Sequence, residues 1–190
     1  VLCEKMKVGN YDIGFAQDPD ADRLVIIDEN GRFIGEDYSL AFCMDYYLEV
    51  AKQDAPNIVV NLSTSMIIND IAKKHRANVF HTKIGEPNVT EKMKEIDALI
   101  GGEGNGGVIV PEVGWGRDSL TGITLALLHL EHKNQTVSDI ITSYPSYTMI
   151  RDKQPLESRD SIESKIQAVA NHFSEESINM EDGIKVSFSD

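Results

Sequence analysis

Cysteine is scarce in this sequence: Cys3 and Cys43 are its two thiols in 190 residues. They allow at most one disulfide, which excludes the cross-linked framework of a small secreted domain and leads us to expect a reduced, cytoplasmic setting. Basic side chains are also in short supply, with 18 Lys and Arg against 31 Asp and Glu and a formal net charge of −13. So acidic a chain does not suit a nucleic-acid backbone or an anionic membrane, because both need a basic face. An anionic small substrate fits only where Lys and Arg gather locally in a cleft. No apolar run reaches the ~18 residues of a membrane span, and no secretion signal is visible. No methionine opens the chain, which starts at Val1, so a piece of a longer protein is expected. Internal repeats and low-complexity tracts are missing as well.

What is present can furnish a packed core, since 41% of the residues are apolar. Residues 1–9 read as the end of a helix. Short strands are predicted over 11–16 and 24–28, and Asn30-Gly31 turns the second of these into a third at 32–34. A domain boundary is placed after residue 36. From there the apolar spacing becomes helical, with Leu40, Met44, Tyr47 and Leu48 on a helix over 37–52. Strands at 58–61, 78–82 and 98–100 then alternate with helices at 66–76, 88–94 and 118–132. This alternation as far as residue 144 predicts a three-layer α/β/α domain with a mainly parallel sheet, whose ligands sit beyond the carboxyl ends of its strands. Pro145 breaks the pattern. A strand at 147–151, a helix at 159–173 and a strand at 184–188 follow, too little to bury its own faces and so an unfinished domain.

Two loops carry the chemistry. In an extended stretch after the first strand, Asp18, Asp20 and Asp22 point to one face while Pro19 stiffens the backbone between the first two. Carboxylates held so close repel one another, and a hard cation bound through oxygen relieves them; Mg²⁺ suits best, because three protein oxygens leave positions open for water or a phosphate oxygen. The same acids together with Glu29 match an EF-hand loop, but Arg23 stands at its glycine and the flanks read as strands. A haloacid-dehalogenase-like phosphatase, with Asp18 as nucleophile, is a second alternative, and a non-catalytic sugar-phosphate or metal-binding module a third. The other loop, Gly101-Gly102-Glu103-Gly104-Asn105-Gly106-Gly107, follows an apolar strand. Its glycines let a ligand approach the backbone, Glu103 can accept from adjacent sugar hydroxyls and Asn105 can both donate and accept; a plain hairpin explains the same residues. Among the histidines only His129 and His132 approach a metal spacing, with no third ligand to join them. Asp118 reads as a helix cap.

Asp18-Pro19-Asp20-Ala21-Asp22-Arg23 resembles the magnesium loop, D-x-D-x-D-R, of the α-D-phosphohexomutases, the phosphoglucomutase, phosphomannomutase and phosphoglucosamine mutase superfamily. Gly102-Glu103-Gly104-Asn105-Gly106 is similar to their sugar-binding G-E-x-S-G, with Asn105 in the serine position. Thr82-Lys83-Ile84-Gly85 resembles their basic loop facing the active site, and Gly116-Arg117-Asp118 resembles a family segment before a helix, though no catalytic role is expected of it. The likeness covers nearly the whole chain. It implies that residues 1–36 end a second domain and carry the Mg²⁺ loop, that 37–145 form a third domain with the sugar loop, and that 146–190 begin a fourth. It implies an isomerase, an intramolecular phosphotransferase that moves a phosphoryl group between O1 and O6 of a hexose phosphate by way of a phosphoserine and a hexose bisphosphate. In that scheme Asp18, Asp20 and Asp22 hold Mg²⁺, Arg23 and Lys83 act on phosphate, and Lys83, Gly102, Glu103 and Asn105 hold the sugar. The family's serine loop and its C-terminal phosphate loop do not occur in these residues, so the chain alone is expected to be inactive and to need the remaining domains of its parent.

Overall fold

Ile58, Val59 and Val60 are all fully buried because the strand that carries them, β3 (Asn57–Asn61), lies inside a sheet covered on both faces. The structure, a computed structural model, describes residues 1–150, 152, 155 and 162–188. Its larger unit spans Val1–Tyr147. Here β3 pairs in parallel with β4 (Asn78–Thr82) on one side and with β5 (Ile100–Glu103) on the other, and β6 (Gly107–Ile109) closes the sheet antiparallel to β5. The order is β4-β3-β5-β6. Val59 and Ile109 pack on one face against Val89 and Met93 of α4 (Glu86–Glu95). Ile58 and Val60 join the larger core on the other face, with α2 (Glu36–Ala51), α3 (Ile67–Lys74) and α5 (Ser119–Lys133). The expected three-layer α/β fold with a mainly parallel sheet is thus the fold observed.

Leu40 to Met44 are buried without interruption on α2, which therefore lies within the core rather than on its surface. Cys43 is among them, and neither cysteine is in a disulfide. Ahead of α2, helix α1 (Leu2–Val8) leads to an antiparallel hairpin of β1 (Gly14–Gln17) and β2 (Leu24–Ile27). Residues 1–36 are not set apart in packing. Leu24 and Ile26 sit in the main core, and Ser39 Oγ on α2 accepts from the Ile26 N–H at 3.2 Å. The third short strand, expected at 32–34, is reduced to one bridge between Ile27 and Phe33, because Gly31 and the carboxylate of Asp28 hold a tight turn there. A helix not foreseen, α6 (Val137–Thr142), follows α5 and starts on a capping box between Thr136 and Asp139.

The second unit spans Thr148–Asp190. It holds α7 (Ile162–His172) and an antiparallel pair, β7 (Ser177–Asn179) and β8 (Lys185–Ser187). The strand expected at 147–151 is not formed over residues 147–150, and Arg151 lies outside the described residues, as do 159–161 of the predicted helix. β7 was hidden from the sequence because Ser177, Ile178 and Asn179 show no apolar alternation. No described helix is long and apolar enough to cross a membrane.

Candidate functional site

The three parallel strands end at Asn61, Thr82 and Glu103, and these ends converge. Glu103 is 3% exposed. Its Oε1 accepts from Asn61 Nδ2 at 2.7 Å and from the Gly85 N–H at 3.1 Å. Oε2 accepts from Arg117 Nη1 at 2.6 Å. A carboxylate with three donors around it is held rigidly. The glycine stretch is not a loose loop. Gly101 and Gly102 lie in β5, Gly107 opens β6, and only the residues between them turn, with the Asn105 side chain accepting from the Gly107 N–H at 3.2 Å. Gly106 takes a φ of +88° and passes so close to β2 that a Cβ would strike the Leu24 carbonyl oxygen. Glycine is required there.

That close approach joins the two predicted loops. Gly106 O accepts the Leu24 N–H at 3.1 Å, directly after the acidic residues. Asp18, Asp20 and Asp22 do converge, each offering an oxygen within 4.8 Å of the others. The cause differs from the extended alternation expected. Asp18 O accepts the Ala21 N–H at 3.1 Å, a β-turn with Pro19 at its second position, and Ala21 adopts a φ of +58°. Ser119, at the start of α5, pins that strained residue by donating to the Ala21 carbonyl at 2.5 Å.

Arg23 Nε donates to Asp18 Oδ2 at 2.5 Å and lies 3.5 Å from Asp22 Oδ1. Desolvation works against ionisation of Asp18, but the hydrogen bonds from the Arg23 side chain and backbone outweigh it and hold the carboxyl well below its ordinary range. Asp22 is pushed the other way by desolvation and by Asp18 and Asp20, with Arg117 opposing. Asp22 Oδ1 is buried and has no hydrogen-bond partner. A buried carboxylate oxygen without a hydrogen bond, beside two other acids whose oxygens lie within 4.8 Å, suits a hard divalent cation bound through oxygen. The donor set therefore fits Mg²⁺. Lys83, just past β4, is exposed, and Thr82 Oγ1 donates to its carbonyl at 3.0 Å. Its loop reaches the site through Gly85.

Three residues to which the sequence reading gives no role complete the constellation: Asn61, Glu86 and Arg117. Arg117 pairs with Asp22, Glu103 and Glu86 together. Charge accounting points to it, since Asp18, Asp20, Asp22 and Glu103 outnumber Arg23 and Lys83. Asp118 is the cap expected, accepting from Leu120 and Thr121 N–H groups. His129 is buried against Phe42 while His132 pairs with Glu49, so no zinc site forms between them. The EF-hand alternative fails because the acids lie between two strands and Glu29 is bound instead to Ser138.

The family model for phosphoglucomutase/phosphomannomutase, alpha/beta/alpha domain III, matches residues 35–147. The chain belongs to the phosphoglucomutase/phosphomannomutase family. Over 190 residues it is 36% identical to a phosphoglucomutase/phosphomannomutase of Thermococcus kodakarensis, covering all of this chain and 41% of that protein. A phosphoglucosamine mutase of Campylobacter hominis is 33% identical over 175 residues, which is 87% of this chain and 39% of the relative. The fold matches that of a phosphoglucomutase/phosphomannomutase family protein from Burkholderia thailandensis with a TM-score of 0.79 at 23% identity, over 99% of this chain and 40% of that one. The chain thus spans about two fifths of the length of these family members.

Proposed function

We propose that this chain is the central part of a cytoplasmic, Mg²⁺-dependent phosphohexomutase, which moves a phosphoryl group between O1 and O6 of a hexose phosphate by way of a phosphoserine on another part of the parent protein. The observation that carries this is the junction of the acidic turn with the glycine hairpin, made by Leu24 with Gly106 and by Arg117 between Asp22 and Glu103. A metal-and-phosphate site and a sugar grip then share one cleft. A phosphatase of the haloacid-dehalogenase kind needs its D-x-D at the carboxyl end of a central parallel strand; here the acids join two strands of a separate antiparallel hairpin, which speaks against that alternative.

Asp18, Asp20 and Asp22 would hold Mg²⁺, which when bound neutralises charge developing on the transferring phosphoryl group. Arg23, half exposed beside them, holds phosphate oxygens, and Lys83 meets phosphate or hydroxyl from the neighbouring loop. Glu103 accepts from a sugar hydroxyl through Oε2 with half-buried Asn105 beside it at the hairpin turn, while Gly102, buried in β5 against Leu40, serves by letting the strands pack closely behind them. Because hydroxyl contacts of this kind suit a hexose in either orientation, the grip serves both phosphoryl positions. In this reading residues 1–36 are the end of the preceding domain and 146–190 the start of the following one.

The test is conversion of glucose, mannose or glucosamine 1-phosphate into the 6-phosphate by the full-length parent protein with Mg²⁺. Asp18→Asn is expected to lower turnover by about 100-fold or more, the scale of a lost metal contribution of several kcal/mol. A parent with no activity on any of the three sugars, or an Asp18→Asn variant as fast as wild type, overturns the assignment.

A further inference from the structure

The Arg117 guanidinium is divided among three segments that are distant in sequence. Nη2 donates to Asp22 Oδ2, Nη1 to Glu103 Oε2 at 2.6 Å and Nε to Glu86 Oε2 at 2.9 Å, with the side chain 17% exposed. Glu86 also accepts from the Arg117 backbone N–H at 3.3 Å, so the residue is fixed at both ends. The neighbouring hairpin is shaped around it: a Cβ at Gly107 would run into the Arg117 side chain. Each carboxylate is gripped by one oxygen. Asp22 Oδ1 is left buried without a hydrogen bond, 3.5 Å from Arg23 Nε, and Glu103 Oε2 keeps acceptor capacity.

We propose that Arg117 is a positioning residue that couples the acidic turn to the sugar grip. By holding Asp22 through Oδ2 it presents Oδ1 to a divalent cation. By holding Glu103 through Oε2 it fixes the angle at which that carboxylate meets a hydroxyl. One rigid fork between the two makes occupancy of either site favour the other, and such linkage is reciprocal. The inference rests on the mutase reading above for the identity of the two ligands.

Simple charge predicts the reverse for the metal. A guanidinium near a cation repels it, so removing Arg117 for purely Coulombic reasons tightens the metal. Loss of positioning weakens it, commonly by 10- to 100-fold for residues that orient metal ligands. Arg117→Lys separates the two effects, because lysine keeps the charge but lacks the planar fork.

The experiment compares wild-type, Arg117→Lys and Glu86→Gln full-length proteins by Mn²⁺ titration with electron paramagnetic resonance, by calorimetric titration with glucose 6-phosphate with and without Mn²⁺, and by kcat and KM. Thermal melts monitor folding. Arg117→Lys is expected to bind Mn²⁺ at least ~10-fold more weakly, to raise KM for the sugar phosphate, and to abolish the gain in glucose 6-phosphate affinity that Mn²⁺ gives the wild type. Glu86→Gln, which loosens the Nε and backbone N–H anchors but leaves the two Nη bonds in place, is expected to shift all three in the same direction by less, and it decides the matter if Arg117→Lys does not fold. Mn²⁺ affinity within twofold of wild type, or metal and sugar binding that remain coupled in both variants, overturns the proposal. If the wild type converts no hexose phosphate while Arg117→Lys still loses Mn²⁺ and the coupling, the mutase reading falls and the role of Arg117 stands.

Discussion

Gly106 shows at the scale of one residue how closely the two halves of the site are fitted. Its φ of +88° and its carbonyl bond to the Leu24 N–H leave no room for a methyl group. Gly106→Ala is expected to cost about 2–3 kcal/mol, from left-handed strain and the clash together, and to weaken Mn²⁺ binding because the acidic turn ends next to the displaced strand. Gly114 is the control, since a Cβ there meets nothing within 4 Å; Gly114→Ala should change stability by less than ~0.5 kcal/mol. Urea denaturation of the two variants checks both figures, and equal effects would show that the Leu24 contact carries no weight. At this scale the sequence was informative about which side chains matter and silent about how they are held. Asp18, Asp20, Asp22 and Glu103 announced themselves by spacing. Arg117 stood out only as part of the family-like Gly116-Arg117-Asp118, because its role arises only when residues 22, 86, 103 and 117 are brought together by four separate segments.

At the scale of elements, a buried carboxylate ties the helices on one face of the sheet. Asp45 of α2 accepts from Lys74 Nζ at 2.7 Å, lies 2.5 Å from His75 Nε2 at the end of α3, and accepts from Tyr144 Oη at 2.8 Å. Burial opposes its charge, but the hydrogen bonds from His75, Lys74 and Tyr144 prevail and keep its carboxyl well below the usual range. His129 of α5 lies beside it, its Nδ1 on the Phe42 carbonyl at 2.9 Å and its Nε2 3.8 Å from Asp45 without a hydrogen-bond partner. Burial lowers the His129 pKa from 6.5 to about 4, against the pull of Asp45. A base that titrates lower when folded binds protons preferentially in the unfolded chain. Its stabilisation is complete above pH ~6.5 and is lost as pH falls toward 4, by roughly 2–3 kcal/mol. Asp45 follows the acid rule, its contribution present above the unfolded value of ~3.9 and lost only at lower pH. Urea midpoints at pH 7, 5 and 4 should therefore decline more steeply in wild type than in His129→Gln, which keeps only the acid loss from carboxylates such as Glu29 and Glu49; parallel declines would refute the assignment. The helices themselves were legible from apolar spacing at Leu40, Met44 and Leu48. The short α6 was missed although Thr136 and Asp139 spell its capping box, because six residues carry too little periodicity to register.

At the scale of the molecule, the two units differ in what they can bury. Residues 1–147 enclose a sheet covered on both faces, whereas Ala170 is the one buried apolar residue among the described positions of 148–190. A helix with one hairpin is marginal by itself. Amides of β7 and β8 should exchange with solvent well before those of β3 and β5, as read by hydrogen–deuterium exchange mass spectrometry; equal protection would mean that the second unit has a core of its own. The alternation of strand and helix made the larger unit readable in advance, since a parallel sheet needs apolar strands at such intervals. The second unit was read less well, because short strands with polar faces are defined by their partners rather than by their own residues. The shared guanidinium also has a consequence for protein engineering. Segments 18–23, 83–86, 101–107 and 114–118 are joined through it, so on the mutase reading proposed above, transplanting the glycine hairpin of a relative to redirect sugar choice should succeed only when all four are exchanged as a set.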